Sequence, residues 1–245
     1  VAEACCEPAG ASRGRYDLVV MGSGSAAFAA AIRARGLGAR VAMVERKTVG
    51  GTCVNRGCVP SKNLLRAAEW AAAGRQVSFP GLEVVSRVTD YRAVVEQKRT
   101  LVAELRKMKY EDLLAEYGIV LVRGHARFRS PRELSVNGET LEAERFLIAT
   151  GSRPWVPRIR GLEGVPFWTS SDALEAEEVP RRLVVVGGGY IAVELGQMFA
   201  RFGSRVTLLE MLPRIVANHE PEQSEELARH LAAEGIEIST DARVV

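Results

Sequence analysis

The chain has 245 residues, 47% of them hydrophobic and 26% charged, with a net charge of +3 at pH 7. At about 150 residues per domain this is one large or two modest domains with real cores, which excludes a small stapled protein or a disordered one. The slight basic excess is spread along the chain with no block of like charge, so nothing argues for a nucleic-acid partner.

Residues 1–14 are small, polar and Gly/Pro-containing, and read as a tail or linker. They hold no apolar stretch of the secretory kind, and the chain opens on Val1 rather than Met. The expectation is a cytoplasmic protein whose own N-terminus lies upstream. Leu18–Ile32 is free of charge, but Gly22, Gly24 and two serines interrupt it and it is shorter than the roughly 20 residues of a membrane span, so no membrane association is predicted. The four cysteines, Cys5, Cys6, Cys53 and Cys58, are too few for a disulfide framework and point to chemistry instead.

Order is expected from Tyr16. Asp17–Met21 reads as a short strand, Ser25 to Arg35 as an alanine-rich helix and Ala39–Glu45 as a second strand. Apolar positions at Tyr91, Val94, Val95, Leu101, Val102, Leu105, Met108, Leu113 and Leu114, with charges between them, predict a long amphipathic helix or a pair of helices. It is capped by Asp90 and stopped at Gly118. Ile119–Ala149 reads as a small antiparallel meander with a hairpin at Asn137-Gly138. Prolines punctuate a connecting region. Leu183–Val186 then restarts the strand–glycine–helix pattern, followed by a strand at Arg205–Glu210, a helix near Pro221–Glu234 and a strand at Ile236–Ser239.

The two halves repeat. Gly22-Ser-Gly24-Ser-Ala-Ala27 and Gly187-Gly-Gly189-Tyr-Ile-Ala192 are both G-x-G-x-x-A between a strand and a helix, and in each a glutamate, Glu45 or Glu210, lies 23 positions after the first glycine. The first glycine permits the tight turn. The second lets backbone approach a pyrophosphate, and the helix start, at Ser25-Ala26 and at Tyr190-Ile191, offers free N–H groups to an anion. The glutamates are placed to accept bonds from ribose hydroxyls, so two dinucleotides are implied.

Between the fingerprints lies Gly50-Gly-Thr-Cys53-Val-Asn-Arg-Gly-Cys58-Val-Pro60-Ser-Lys62. Residues five apart in an ideal helix have Cα atoms about 8–9 Å apart, too far for a disulfide, so these cysteines can pair only across an irregular turn, which Gly57 and Pro60 make feasible. A buried cysteine pair or a plain structural disulfide is the plainer alternative. Zinc is disfavoured because no second Cys/His pair follows at ligand spacing. A thiol at a helix start beside Arg56 gains from the dipole and the positive charge, although Arg56 can equally face solvent.

This run, framed by the two fingerprints and by Ala149-Thr-Gly151 at a strand end, resembles the flavin-dependent pyridine nucleotide–disulfide oxidoreductases over residues 16–245. Within them Gly22–Ala27, Glu104–Gly118 and Trp168-Thr-Ser-Ser look most like the mercuric reductases. The resemblance implies an α/β fold of two Rossmann-like domains: an FAD domain with an antiparallel meander at 15–153, and a truncated NAD(P) domain at 154–245. The missing part would include a C-terminal dimerisation domain, and the chain alone would not turn over. It implies Cys58 as the thiolate against the flavin and Cys53 as the more exposed thiol that exchanges with or ligates substrate. Lys62 would approach the flavin and pair with Glu194, and Tyr190 would cover the flavin face. Gly51, Thr52, Ala126, Thr150 and Gly151 would complete the flavin site, with His125 a surface or strand histidine rather than a catalyst. Electrons would pass from NADH or NADPH through FAD to Cys53–Cys58 and on to Hg(II), both cysteines ligating it, or to a small disulfide as in dihydrolipoyl dehydrogenase. The whole protein would be a homodimer. Glu210 favours NADH by repelling a 2′-phosphate, whereas Arg214 keeps NADPH open. Cys5 and Cys6 are given no role.

Overall fold

The computed structural model describes residues 15–75 and 79–245, so the readings of residues 1–14, Cys5 and Cys6 among them, lie outside the described residues. In chain order the elements are β1 (Arg15–Met21), α1 (Ser25–Gly36), β2 (Val41–Glu45), α2 (Gly51–Arg56), α3 (Cys58–Ala72), α4 (Tyr91–Arg106), α5 (Asp112–Glu116), β3 (Val120–Arg123), β4 (Ala126–Ser130), β5 (Glu133–Val136), β6 (Glu139–Ile148), α6 (Ser170–Ala173), β7 (Arg182–Val186), α7 (Tyr190–Phe202), β8 (Arg205–Leu209), α8 (Pro221–Ala233) and β9 (Glu237–Ser239). They form two compact units. One joins the chain as far as Asn55 to Ala103–Ser152, the other joins Arg56–Val102 to Arg153–Val245. Among the described residues no helix is long and apolar enough to cross a membrane.

The first unit is built on a six-stranded sheet in the order β3-β2-β1-β6-β5-β4. β1, β2 and β3 run parallel, and β6 joins them parallel to β1 through Glu142–Ile148 while its start, Glu139–Glu142, pairs antiparallel with β5. The meander is therefore β4-β5-β6, and β3, read from sequence as its first strand, belongs to the parallel half. The cause is a break at Gly124, whose φ of +154° redirects the chain after β3. Its N–H donates to Glu45 O at 3.0 Å and the Asn137 side chain donates to Arg123 O at 3.1 Å. The hairpin stands where Asn137-Gly138 placed it, with φ values of +49° and +93° that match a type I′ turn. Val20, Phe28, Val41 and Met43 fill one face of the sheet, and Val19, Ala42, Leu134 and Leu141 the other.

The helical stretch after residue 90 starts with Ala93 N donating to Asp90 Oδ1 at 3.2 Å and ends at Gly118, φ +60°. Between α4 and α5 lies a π turn at Lys107–Glu111. It shifts the helical phase, and Met108, expected to be packed, is 52% exposed. The buried stripe of α4 is Tyr91, Val95, Lys98 and Val102. Lys98, a charge among those apolar positions, is fully buried, because its stem lies on that stripe and Glu175 Oε1 receives its ammonium at 2.5 Å. Arg99 adds bonds to Glu175 and Glu177, and all four side chains belong to the second unit.

The second unit carries the parallel sheet β7-β8-β9, with α7 and α8 as its crossovers. Met198 and Phe199 of α7, Val206 and Leu208 of β8, and Leu231 of α8 pack with Leu64 and Ala68 of α3 into one core. Each fully buried large side chain of this kind contributes roughly 1.5–3 kcal/mol. Tyr91 closes the core against Phe202 with ring centroids 5.0 Å apart, and burial pushes its phenol up to about 12.

Candidate functional site

Both glycine turns adopt the backbone that their sequence requires. Gly22 and Gly187, at the ends of β1 and β7, have φ of +106° and +107°, and Gly24 and Gly189 stand before α1 and α7 in extended conformation. Neither helix has a side-chain cap or an acidic residue in its first turn, which leaves the N–H groups of Ser25-Ala26 and Tyr190-Ile191 for an external acceptor. Ser25, Ala26, Tyr190 and Ile191 are all exposed.

The acidic residues repeat as well. Glu45 Oε2 accepts from Ser23 Oγ at 2.6 Å and Oε1 from Lys47 N at 2.7 Å. Glu210 Oε2 accepts from Gly188 N at 2.6 Å and Oε1 from Leu212 N at 2.8 Å. In each copy the carboxylate ties the glycine turn to the end of the next strand. A carboxylate has about four acceptor sites, so each retains capacity for a ligand hydroxyl. Gly188 leaves little room for a larger residue, since a Cβ would stand 2.9 Å from Ile215 Cγ2 and 3.0 Å from Glu210 Cβ. Ser23 and Gly188 as partners of the carboxylates escaped the sequence reading, although their shared place inside G-x-G was a signal. Arg214 donates to Ala217 O at 3.3 Å, and its buried Nε has no partner among the described residues.

Around the first turn the backbone is crowded. A Cβ on Gly22 would lie 2.2 Å from Ala149 O, and one on Gly51 2.5 Å from Gly24 Cα. The structure thus brings Gly51, with Thr52 next to it, and the strand end before Thr150-Gly151 to the first glycine turn. Gly124 N on Glu45 O brings Ala126, the first residue of β4, close to the end of β2. His125 is exposed, as expected for a surface histidine. A cradle lined by backbone, with uncapped N–H groups at one end and a carboxylate at the other, fits a dinucleotide.

The helix is interrupted between the cysteines. α2 carries Cys53 and ends at Arg56, and α3 begins on Cys58 after Gly57, whose φ and ψ are −137° and −116°. Cys53 is half-buried and Cys58 exposed, the reverse of the expected order. Each cysteine lies in the first turn of its helix, Cys53 third in α2 and Cys58 first in α3. Arg56 is exposed. Lys62 follows Cys58 by one helical turn and shares its face. Its Nζ donates to Glu194 Oε1 at 2.6 Å, on the second turn of α7. The second unit therefore joins the cysteine helix to the helix that starts at the second glycine turn.

Comparison with known proteins bears on this arrangement. A family model described as pyridine nucleotide-disulphide oxidoreductase matches residues 16–245. The chain is 49% identical over 227 residues to a mercuric reductase of Staphylococcus aureus, covering 93% of this chain and 42% of that one. It is 41% identical over 235 residues to a dihydrolipoyl dehydrogenase of Thermus scotoductus, covering 94% and 50%. Among solved structures, the Cu(II) complex of the HOCl-induced flavoprotein disulfide reductase RclA from Escherichia coli superposes with a TM-score of 0.82 at 30% identity, covering 94% of this chain and 50% of that one. The chain thus spans about half or less of the length of these relatives.

Proposed function

The chain belongs to the pyridine nucleotide–disulphide oxidoreductases, and on that premise we propose that it passes electrons from NADH or NADPH through FAD to Cys53 and Cys58 and on to Hg(II), releasing Hg(0). The observation that carries the redox reading is the Lys62–Glu194 pair, which ties the helix opened by Cys58 to the helix at the second glycine turn. Gly22, Gly24, Ser25, Ala26, Glu45, Gly51, Thr52, Ala126, Thr150 and Gly151 would hold FAD. Gly187, Gly189, Tyr190, Ile191 and Glu210 would hold the nicotinamide nucleotide. A bound flavin supplies a two-electron relay between nicotinamide and the cysteines. Lys62 holds a positive charge one turn from Cys58, and Glu194 fixes where that charge stands. Cys58 opens α3, so its sulfur stands at the N-terminal end of that helix. Cys53 and Cys58 as thiolates suit a soft cation such as Hg(II). Glu210, with both oxygens engaged by backbone donors, disfavours a 2′-phosphate and points to NADH, whereas the half-buried Arg214 is the residue through which NADPH would be accepted. The whole protein is read as a cytoplasmic homodimer.

Reduction of a small disulfide by the same residues is the second reading, favoured by the dihydrolipoyl dehydrogenase relative. The test is the visible spectrum of the purified protein before and after two-electron reduction, with Hg(II)-dependent oxidation of NAD(P)H in excess thiol. A flavin spectrum that gains a long-wavelength thiolate band, with mercury turnover, supports the proposal. The band without mercury turnover moves the substrate to a disulfide, and absence of bound flavin refutes the reading from Gly22 onward.

A further inference from the structure

A π turn adds one residue to a helical turn and is frequent where that extra residue is used. The one at Lys107–Glu111 turns side chains toward Val49–Asn55, within the first unit. Arg106, just before it, donates through Nε to Glu111 Oε1 and through Nη1 to Asn55 Oδ1, both at 3.2 Å. Asn55 gives both amide hydrogens to Val49 O and Gly51 O, at 2.8 and 2.9 Å, so it is Asn55, held by Arg106, that grips both sides of Gly50. Tyr110 closes the other side. A Cβ on Gly50 would stand 3.1 Å from its ring, the ring meets Phe28 edge-on at 5.0 Å, and its hydroxyl lies 3.2 Å from Ser25 Oγ at the start of α1.

Gly51 and Gly24 meet backbone to backbone, and Gly50 N donates to Ser23 O at 3.0 Å and lies 3.3 Å from Ser23 Oγ. That donor pins one point of the segment, and the side chains around Val49–Asn55 hold the rest of it. We infer that Arg106 and Tyr110 are positioning residues that hold Val49–Asn55 against the first glycine turn at the spacing a dinucleotide pyrophosphate requires. This rests on the reading of that turn as the FAD site.

The test is the dissociation constant of FAD from the apoprotein, read by quenching of flavin fluorescence, for wild type, Arg106→Met, Tyr110→Leu and the double variant. NADH affinity serves as the control at the second turn. Arg106→Met is expected to weaken FAD about tenfold, the size of one hydrogen bond to a charged group, and Tyr110→Leu about fivefold, the size of a neutral one. The double is expected to bind about as the weaker single does, because both residues act on one segment. NADH affinity should stay within about twofold. If Tyr110→Leu does not fold, Tyr110→Phe and Arg106→Lys complete the same cycle. FAD affinities unchanged in both single variants, losses that multiply as for independent sites, or NADH affinity falling in step would overturn the inference. A wild-type protein that binds no FAD overturns the proposed function with it, whereas wild-type binding with unaltered variants overturns the positioning role alone.

Discussion

Lys98 and Glu175 provide a test in which the two halves of one ion pair respond oppositely. The Lys98 side chain is 1% exposed and Glu175 is 49% exposed, with Arg99 on the other carboxylate oxygen at 2.9 Å. Glu175→Ala leaves an ammonium in the core without its carboxylate, a change that costs about 3–5 kcal/mol. Lys98→Met removes the buried charge, keeps the stem's packing, and leaves Glu175 to Arg99 and water, so it should change stability by less than about 1 kcal/mol or raise it. Adding Lys98→Met to the Glu175→Ala variant should recover most of the loss. Urea unfolding of the four proteins measures all three quantities. Equal losses in both single variants, or a Glu175→Ala loss below about 1 kcal/mol, would refute the reasoning. The acid limb follows with a definite sign. Although burial raises the Glu175 carboxyl, the hydrogen bonds from Lys98 and Arg99 prevail and hold it below the ordinary range. Its contribution is therefore present above the unfolded carboxylate pKa and is lost as pH falls through the lower folded value, a limb absent from Glu175→Ala.

Three further outcomes are expected. Gly51→Ala combines a φ of +67° with a Cβ 2.5 Å from Gly24 Cα and should cost about 2–4 kcal/mol by urea unfolding and release the flavin, whereas Gly38→Ala, strained at φ +85° with open space around it, should cost only about 1 kcal/mol. Equal costs would contradict the crowding at Gly51. Glu210→Gln turns an amide N–H toward Gly188 N or Leu212 N and should lose about 1–2 kcal/mol while shifting nucleotide titrations toward NADPH; an unchanged NADH/NADPH ratio would remove Glu210 from selectivity. Cys58→Ser should keep bound flavin but remove the cysteine pair's share of reducing equivalents in an anaerobic dithionite titration, and full uptake would sink the redox assignment.

What the sequence disclosed was whatever a few neighbouring residues decide. The glycine turns, the Asp90 cap, the stop at Gly118 and the Asn137-Gly138 hairpin each follow from the backbone preferences of the residues involved. The partner of β3 did not, because a short apolar strand fits either kind of ladder and the choice was made by Gly124 and the Asn137 side chain. The break in the long helix was foreseen without a position, since a π turn has no glycine or proline to announce it. Lys98 sits on an apolar stripe in a charged residue's name, legible only once Glu175 is brought across from 77 positions away. In the site, the fingerprints and the cysteine segment were visible, but Asn55, Arg106 and Tyr110 were not singled out. Their contacts close distances of 51 and 85 positions that no local pattern encodes.

The pairing of β6 with β1 also governs how the molecule is assembled on the ribosome. Arg15 lies opposite Glu142 and Met21 opposite Ile148, so β1 has no partner on that side until the chain has grown well past its hundredth further residue. At translation speeds of about 5–20 residues per second the delay is on the order of ten seconds. Until then the β6 side of β1 offers unpaired backbone groups, the kind of edge that recruits foreign strands or chaperones. Ala149 O, which closes over Gly22, arrives last of all. The dinucleotide turn nearest the start of the chain is thus among the later features of the first unit to be completed.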